Sequence, residues 1–259
     1  MIEPGDKAGT VQLTLQRNDG SRRHHMSSSD VVLSSQVRGL DWKQAQSTSG
    51  AALRFHIQRD AGSFACEGWF RGGKGSGHFS LAPSAAFVSD MRALGHGGLS
   101  GEEVFTLAMH DVTRAYVREF ARLGFKRLPY EKLIAMHIHG VSPAYIRELA
   151  ALGHRNLDAD QLVAMRIHGV SPQAIRQFAA LGYRRLDEQQ LVAMRIHGVS
   201  PELVRELGAE GYRSIPADQP VAMRIHGESP DFIRRLRKRG YDKLSVDELI
   251  SLKIHGVAR

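Results

Sequence analysis

This 259-residue chain has one cysteine, two tryptophans and no apolar run approaching 18 residues. The lone Cys66 excludes an intrachain disulfide and any cysteine-based zinc site. The missing apolar run excludes a helix that crosses a bilayer. No His-Glu-x-x-His string supplies a zinc peptidase centre, and no serine sits in a nucleophile-elbow motif. The first residues, Met1-Ile2-Glu3-Pro4-Gly5-Asp6, lack the basic-then-apolar order of a secretory leader. That predicts a cytoplasmic protein, or a periplasmic one if the chain belongs to a larger membrane protein.

The composition itself, 42% hydrophobic and 24% charged, is that of a globular protein and excludes a wholly disordered chain. Thirty-five Lys and Arg against 27 Asp and Glu leave a net charge of +8 and a pI near 9.9. That balance keeps nucleic acid, membrane surface and acidic protein in view as partners without selecting among them.

The chain is dominated by a repeat. Ile-His-Gly recurs with its histidine at His139, His168, His197, His226 and His255, and a weaker copy places His110 before Asp111. Every step is 29 residues, with no insertion. Gly95, Gly124, Gly153, Gly182, Gly211 and Gly240 keep the same phase. Six copies follow: 83–111, 112–140, 141–169, 170–198, 199–227 and 228–256.

Copy three shows what one unit is. Ser142-Pro143 reads as an N-cap followed by a first-turn proline, with Val141 and Ile146 spaced as a hydrophobic staple. Gly153 then stops the helix in a Schellman-type end, with His154 at the position that packs back on Leu149. Asp158 with Gln161 forms a capping box for a second helix, and Gly169 stops that one. Leu162 to Ile167 is apolar almost all round, which predicts a helix buried between neighbours. Each unit is two helices too short to stand alone, so the units must stack. Copy six replaces apolar residues by Arg237, Lys238 and Arg239 and the staple valine by Glu228, the pattern of a polar terminal cap. Copy five, with Gly208, Glu210 and Pro220, is the weakest joint.

Residues 1–82 carry alternation instead. Val11–Leu15, Phe55–Arg59, Ser63–Phe70 and Ser76–Leu81 read as strands separated by turns at Asp60-Ala61-Gly62 and Arg71-Gly72-Gly73-Lys74. Residues 21–49, rich in serine, read as loop with a short helix near Trp42. The expected fold is therefore α+β: a small antiparallel sheet, four-stranded, over 1–82, capping an α-solenoid of six hairpins over 83–259.

Few residues point to chemistry. The repeated histidines stand about 8–10 Å apart if packed helices set their spacing, too far to share a zinc ion, and fit helix ends instead. His24 and His25 lack a third ligand. Gly68 to Gly75 approximates a phosphate loop, but glycine follows the lysine and a strand follows the loop, so a hairpin turn is the better reading. Cys66 has no activating neighbour and reads as an inert buried thiol. No cofactor is implied.

Two basic columns remain. Arg118, Arg147, Arg176, Arg205 and Arg234 share one position in the first helix. Arg166, Arg195, Arg224 and Lys253 share one near the end of the second, with His137 in the copy before. Either could line a groove for an acidic protein segment or for phosphates. Glutamates beside the first column, and the helix C-termini beneath the second, offer each a purely structural explanation. The repeat region has a net charge of only +5, modest for a dedicated nucleic-acid binder.

The string Leu162-Val163-Ala164-Met165-Arg166-Ile167-His168-Gly169-Val170-Ser171-Pro172 resembles repeats that follow the peptidase domain in bacterial membrane metallopeptidases of the β-lactam-sensor type. Similar repeats occur in stand-alone bacterial proteins. Arg59 to Phe64 and Gly75 to Phe79 look like the sheet preceding such repeats, so the resemblance covers most of residues 55–256. It implies a bacterial accessory or regulatory module and lends no catalytic residue. The expectation is a non-enzymatic scaffold that recognises a protein or acidic peptide through both arginine columns and Arg237, Lys238 and Arg239. The alternatives are a nucleic-acid-binding repeat protein and an accessory module of a metallopeptidase sensor.

Overall fold

The structure is a computed structural model and describes residues 1–18 and 25–256. His24 and the side chain of His25 lie outside the described residues. The fold is α+β, with an antiparallel sheet followed by paired helices at the 29-residue interval. The chain forms two compact units, Met1–Ile138 and His139–Arg259.

The first unit opens with β1 (Ile2–Pro4), β2 (Thr10–Asn18), β3 (His25–Leu33), β4 (Val37–Arg38), β5 (Ala51–Gln58), β6 (Gly62–Arg71) and β7 (Lys74–Pro83). Among the described residues these make one seven-stranded sheet in the order β3-β2-β1-β7-β6-β5-β4. Four strands are too few: the serine-rich segment expected to be loop supplies β3, which pairs with β2 from Thr10↔Leu33 to Asn18↔His25. Its exposure alternates but its sequence does not, because Ser28 turns inward with Val32 while the apolar Val31 and Leu33 face solvent on this edge strand. The short helix near Trp42 is present as α1 (Trp42–Ala45), capped by the Asp41 carboxylate.

Elsewhere the alternation holds. Val11, Leu13 and Leu15 on β2, Phe55 and Ile57 on β5, and Phe64, Cys66 and Phe70 on β6 all point into one core. Gly68 pairs with Gly77, and a Cβ on either would collide with the facing backbone. Leu13 and Leu15 line the same small hollow as Phe55, although three strands lie between β2 and β5, so the sheet curls over its apolar face. The Gly72-Gly73 turn, with φ of 58° and 83°, joins β6 to β7 as a hairpin.

Two helical hairpins complete this unit: α2 (Ala85–Ala93) with α3 (Gly101–Met109), and α4 (Arg114–Arg122) with α5 (Tyr130–Ile138). They share the sheet's core. Phe105 of α3 stacks on Phe79 of β7 at 6.2 Å and meets Phe64 edge-on at 6.1 Å. The tip of the β5–β6 hairpin reaches the start of α4, where Asp60 accepts from the Arg114 backbone N–H at 2.7 Å and from its Nε at 2.9 Å. Asp111, standing where later copies have glycine, has φ 52° and pairs with Arg59 at 2.5 Å. The first copy therefore loses its glycine to an ion pair with the sheet, in a conformation aspartate tolerates.

The second unit holds four hairpins: α6 (Pro143–Ala151) and α7 (Ala159–Ile167), α8 (Pro172–Ala180) and α9 (Glu188–Ile196), α10 (Pro201–Ala209) and α11 (Asp218–Ile225), α12 (Pro230–Lys238) and α13 (Val246–Ile254). The first helices pack in one row, α6-α8-α10-α12, and the second helices in another, α7-α9-α11-α13. The expected caps are present. Ser142 accepts from the Tyr145 N–H with Pro143 at the first helical position, and Asp158 and Gln161 exchange bonds at 2.9 Å. His154 N–H donates to Leu149 O and Gly153 N–H to Ala150 O, the two bonds of a Schellman end.

Val170 has a double role. Its N–H closes α7 on Met165 O at 2.8 Å, and its side chain, buried, precedes the Ser171 cap of α8. One residue thus ends one hairpin and staples the next. In α11, by contrast, Ala217 provides no side-chain cap and Pro220 occupies the first turn.

Candidate partner-binding surface

A nine-residue helix in a stack has room for one buried stripe. In α7 that stripe is Ala159, Leu162 and Met165. At 100° per residue Ile167 lies 200° from Met165, so it turns away from the core. It is 55% exposed, and its equivalents Ile138, Ile196, Ile225 and Ile254 are 54–62% exposed. This corrects the expectation of a helix buried all round: the last turn of the second helix in copies two to six presents an isoleucine to solvent, whereas Met109 at the same position of copy one is buried. Isolated exposed isoleucines need no explanation, but five at one repeat position form a pattern.

The second basic column borders that line. Arg166 Nε donates to His139 O at 3.2 Å, Arg195 Nε to His168 O at 3.4 Å and Arg224 Nε to His197 O at 3.3 Å. Each arginine therefore reaches back one repeat to a C-cap carbonyl, and Arg195 and Arg224 in this way cap the ends of α7 and α9, where the dipole is negative. Glycine after the histidine leaves room for this: a Cβ at Gly140 would stand 2.9 Å from Arg166 Nη2. Arg166 also lies over the Tyr145 ring at 4.9 Å, and burial pushes the Tyr145 hydroxyl up to about 12 while it donates to Val170 O at 2.8 Å. Lys253 instead sits over Phe232 at 4.6 Å.

All four side chains have a structural task, yet Arg166, Arg195 and Arg224 stay exposed and join no ion pair among the described residues. One of the five N–H donors of each guanidinium is used on a carbonyl, which leaves others facing solvent. The rungs read Arg-Ile-His-Gly three times and Lys-Ile-His-Gly once, with no carboxylate in any of them.

The first basic column is differently placed. Its members are exposed, but Arg176 pairs with Glu148 at 3.1 Å across one repeat. Arg234 pairs with Glu210 at 2.8 Å and with Asp231 at 2.5 Å. Arg237 joins the same Glu210 carboxylate at 2.8 Å and its backbone oxygen at 2.9 Å. The basic run of copy six is thus partly a clasp on copy five, while Lys238 and Arg239 face solvent. Arg118 and Arg205 are exposed, Arg118 lying near enough to help hold the Asp60 carboxyl low.

Glu228 departs from the expectation of a polar outer face. It is 1% exposed, with neither carboxylate oxygen hydrogen-bonded, and its N–H closes α11 on Met223 O. Burial pushes its carboxyl above the ordinary range, against the partial opposition of its own nearby backbone N–H and, less, of His226 and Lys253.

The histidines His110, His168, His197, His226 and His255 are helix C-caps. Among the described residues no group of three or more His, Cys, Asp or Glu could hold a metal ion. Cys66 is buried, and burial pushes its thiol up to about 11. Among the described residues no helix is long and apolar enough to cross a membrane. No protein-family model matches the chain, and no curated protein matches it.

Proposed function

We propose that this chain is a non-enzymatic binding scaffold, and that the edge formed by the ends of the second helices of its second unit docks an acidic protein segment. The observation that carries the reading is the isoleucine column. Apolar positions of the repeat such as those of Leu162, Met165 and Val170 are buried, whereas this one stays over half exposed in five successive copies. An apolar line bordered by cations suits a partner offering aliphatic anchors and carboxylates together.

The first basic column, with its internal glutamate partners, supports the same role less directly. Nucleic acid is the rival, because phosphates also meet arginine ladders. The test is fluorescence anisotropy at low salt with a labelled leucine- and glutamate-rich peptide, a random single-stranded RNA and a random DNA duplex. The reading expects peptide binding that Ile167→Ser, Ile196→Ser and Ile225→Ser together abolish. Retention of the nucleic acids alone, or of none of the three probes, overturns it.

A further inference from the structure

We infer that the isoleucine–cation ladder of the second unit takes an extended acidic segment in the polyproline-II conformation, with an aliphatic residue at every third position. The inference rests on the docking role proposed above and concerns which segment the ladder selects.

The ladder is a ruler. Its rungs in this unit are Ile167, Ile196, Ile225 and Ile254, each on a helix that packs directly on the next. The step never slips, because every copy has 29 residues and both helix ends are pinned by glycine stops. Arg195 and Arg224 reach the preceding C-cap carbonyl at 3.4 and 3.3 Å, as closely packed helices require. Packed helices lie about 8–10 Å apart, so three intervals span about 24–30 Å.

Regular peptide conformations match this ruler unequally. Polyproline II rises about 3.1 Å per residue with three residues per turn, so residues i, i+3, i+6 and i+9 share one face about 9 Å apart and span about 28 Å. A strand repeats one face about every 6.6 Å, or 13 Å on skipping one, and meets at most alternate rungs. A helix places i and i+7 about 10.5 Å apart and drifts about 20° per step, leaving the line before the fourth rung.

Hydrogen bonding agrees. A polyproline-II chain makes no internal backbone bonds, so its carbonyls need donors. A guanidinium at three of the four rungs and an ammonium at the fourth stand beside the isoleucines. Between aliphatic residues the same cations favour aspartate or glutamate, since no carboxylate of the rungs competes. A second copy of the chain is disfavoured, because its own ladder carries the same sign.

The experiment uses the whole chain and two labelled twelve-residue peptides of one composition. The first is four tandem Leu-Glu-Pro triplets. The second has the same residues permuted so that no two leucines are three or six apart. Anisotropy at low ionic strength should show the periodic peptide binding at least tenfold more tightly. Ile196→Ser and Arg195→Glu should each cost it about tenfold, and removing one triplet should weaken it further. Equal affinity for both peptides overturns the register while leaving an acidic-segment scaffold standing. Binding to neither peptide removes both. Binding only to vesicles of mixed anionic and zwitterionic phospholipid replaces the peptide by a membrane surface.

Discussion

Replacing Glu228 by valine restores the residue that occupies the same position in four other copies. Val112, Val141, Val170 and Val199 are each no more than 1% exposed there, so the site accepts valine without strain. The glutamate brings two buried oxygens without hydrogen bonds. Leaving a buried polar group unsatisfied costs about 1–3 kcal/mol. Its charge adds a second cost with a ceiling set by proton linkage. A carboxyl with an ordinary value of 4.5 can be protonated at pH 7 for about 3 kcal/mol, so burial of the anion cannot penalise the fold by more than that.

Glu228→Val should therefore stabilise the chain by about 2–4 kcal/mol at pH 7. The sign follows from the raised folded value. Between pH 4.5 and that value the folded state binds more protons than the unfolded one, so the wild type loses stability as pH rises through this window. The gain from valine should grow over the same window and shrink to about 1–2 kcal/mol near pH 4. Urea unfolding followed by circular dichroism at pH 4, 5.5, 7 and 8 measures it, with Glu228→Gln as a control that keeps the shape and removes the titration. Because repeat arrays can unfold from an end, hydrogen exchange in α12 and α13 gives a local readout. A pH-independent gain, or a loss of stability at pH 7, would refute the reasoning.

Other substitutions probe the contacts between repeats and the sheet. Arg195→Ala removes one exposed bond to a helix-end carbonyl and should cost about 0.5–1 kcal/mol, whereas Arg166→Ala also loses the Tyr145 ring and should cost about 0.5–1 kcal/mol more. Equal denaturation midpoints for the two variants would contradict that ordering. Asp60→Asn should destabilise by about 1–2 kcal/mol at neutral pH, discounted for partial exposure. Burial raises the Asp60 carboxyl, but bonds and charge from Arg114 outweigh it and hold it below 3.8, so this stability is present above 3.8 and lost as pH falls through the lower folded value. The variant and wild-type stabilities should therefore converge in acid, and a constant gap down to pH 2 would exclude the ion pair as its source. Cys66 should stay silent to a thiol-reactive disulfide reagent in native buffer at pH 8 and yield one equivalent in urea, since its thiol is buried and titrates near 11.

The 29-residue step, the two helices per step and the residues that begin and end them were legible in the sequence, because caps and Schellman ends are made between residues three to five apart. Ser142, Gly153 and the Asp158–Gln161 box carry that information wherever the chain goes. The three strands within residues 55–81 were legible for the same reason, as period-two alternation around two turns, although β5 begins earlier, at Ala51. The β3 strand was not: an edge strand without alternation is defined only by its partner, here the whole length of β2. Nor were the tasks of the arginines. A column of cations looks the same whether it caps the neighbour's carbonyls, as Arg166, Arg195 and Arg224 do, or pairs with a neighbour's glutamate, as Arg176 and Arg234 do. The angle of Ile167 from Met165 could have been read from the helical wheel, but which stripe is inside depends on where the next repeat packs. Glu228 makes the same point from the other direction, since a carboxylate that reads as surface is carried inward by the valine-shaped joint it occupies. Local hydrogen bonds wrote the repeat into the sequence; burial and charge pairing, being relations between repeats, belong to the tertiary structure alone.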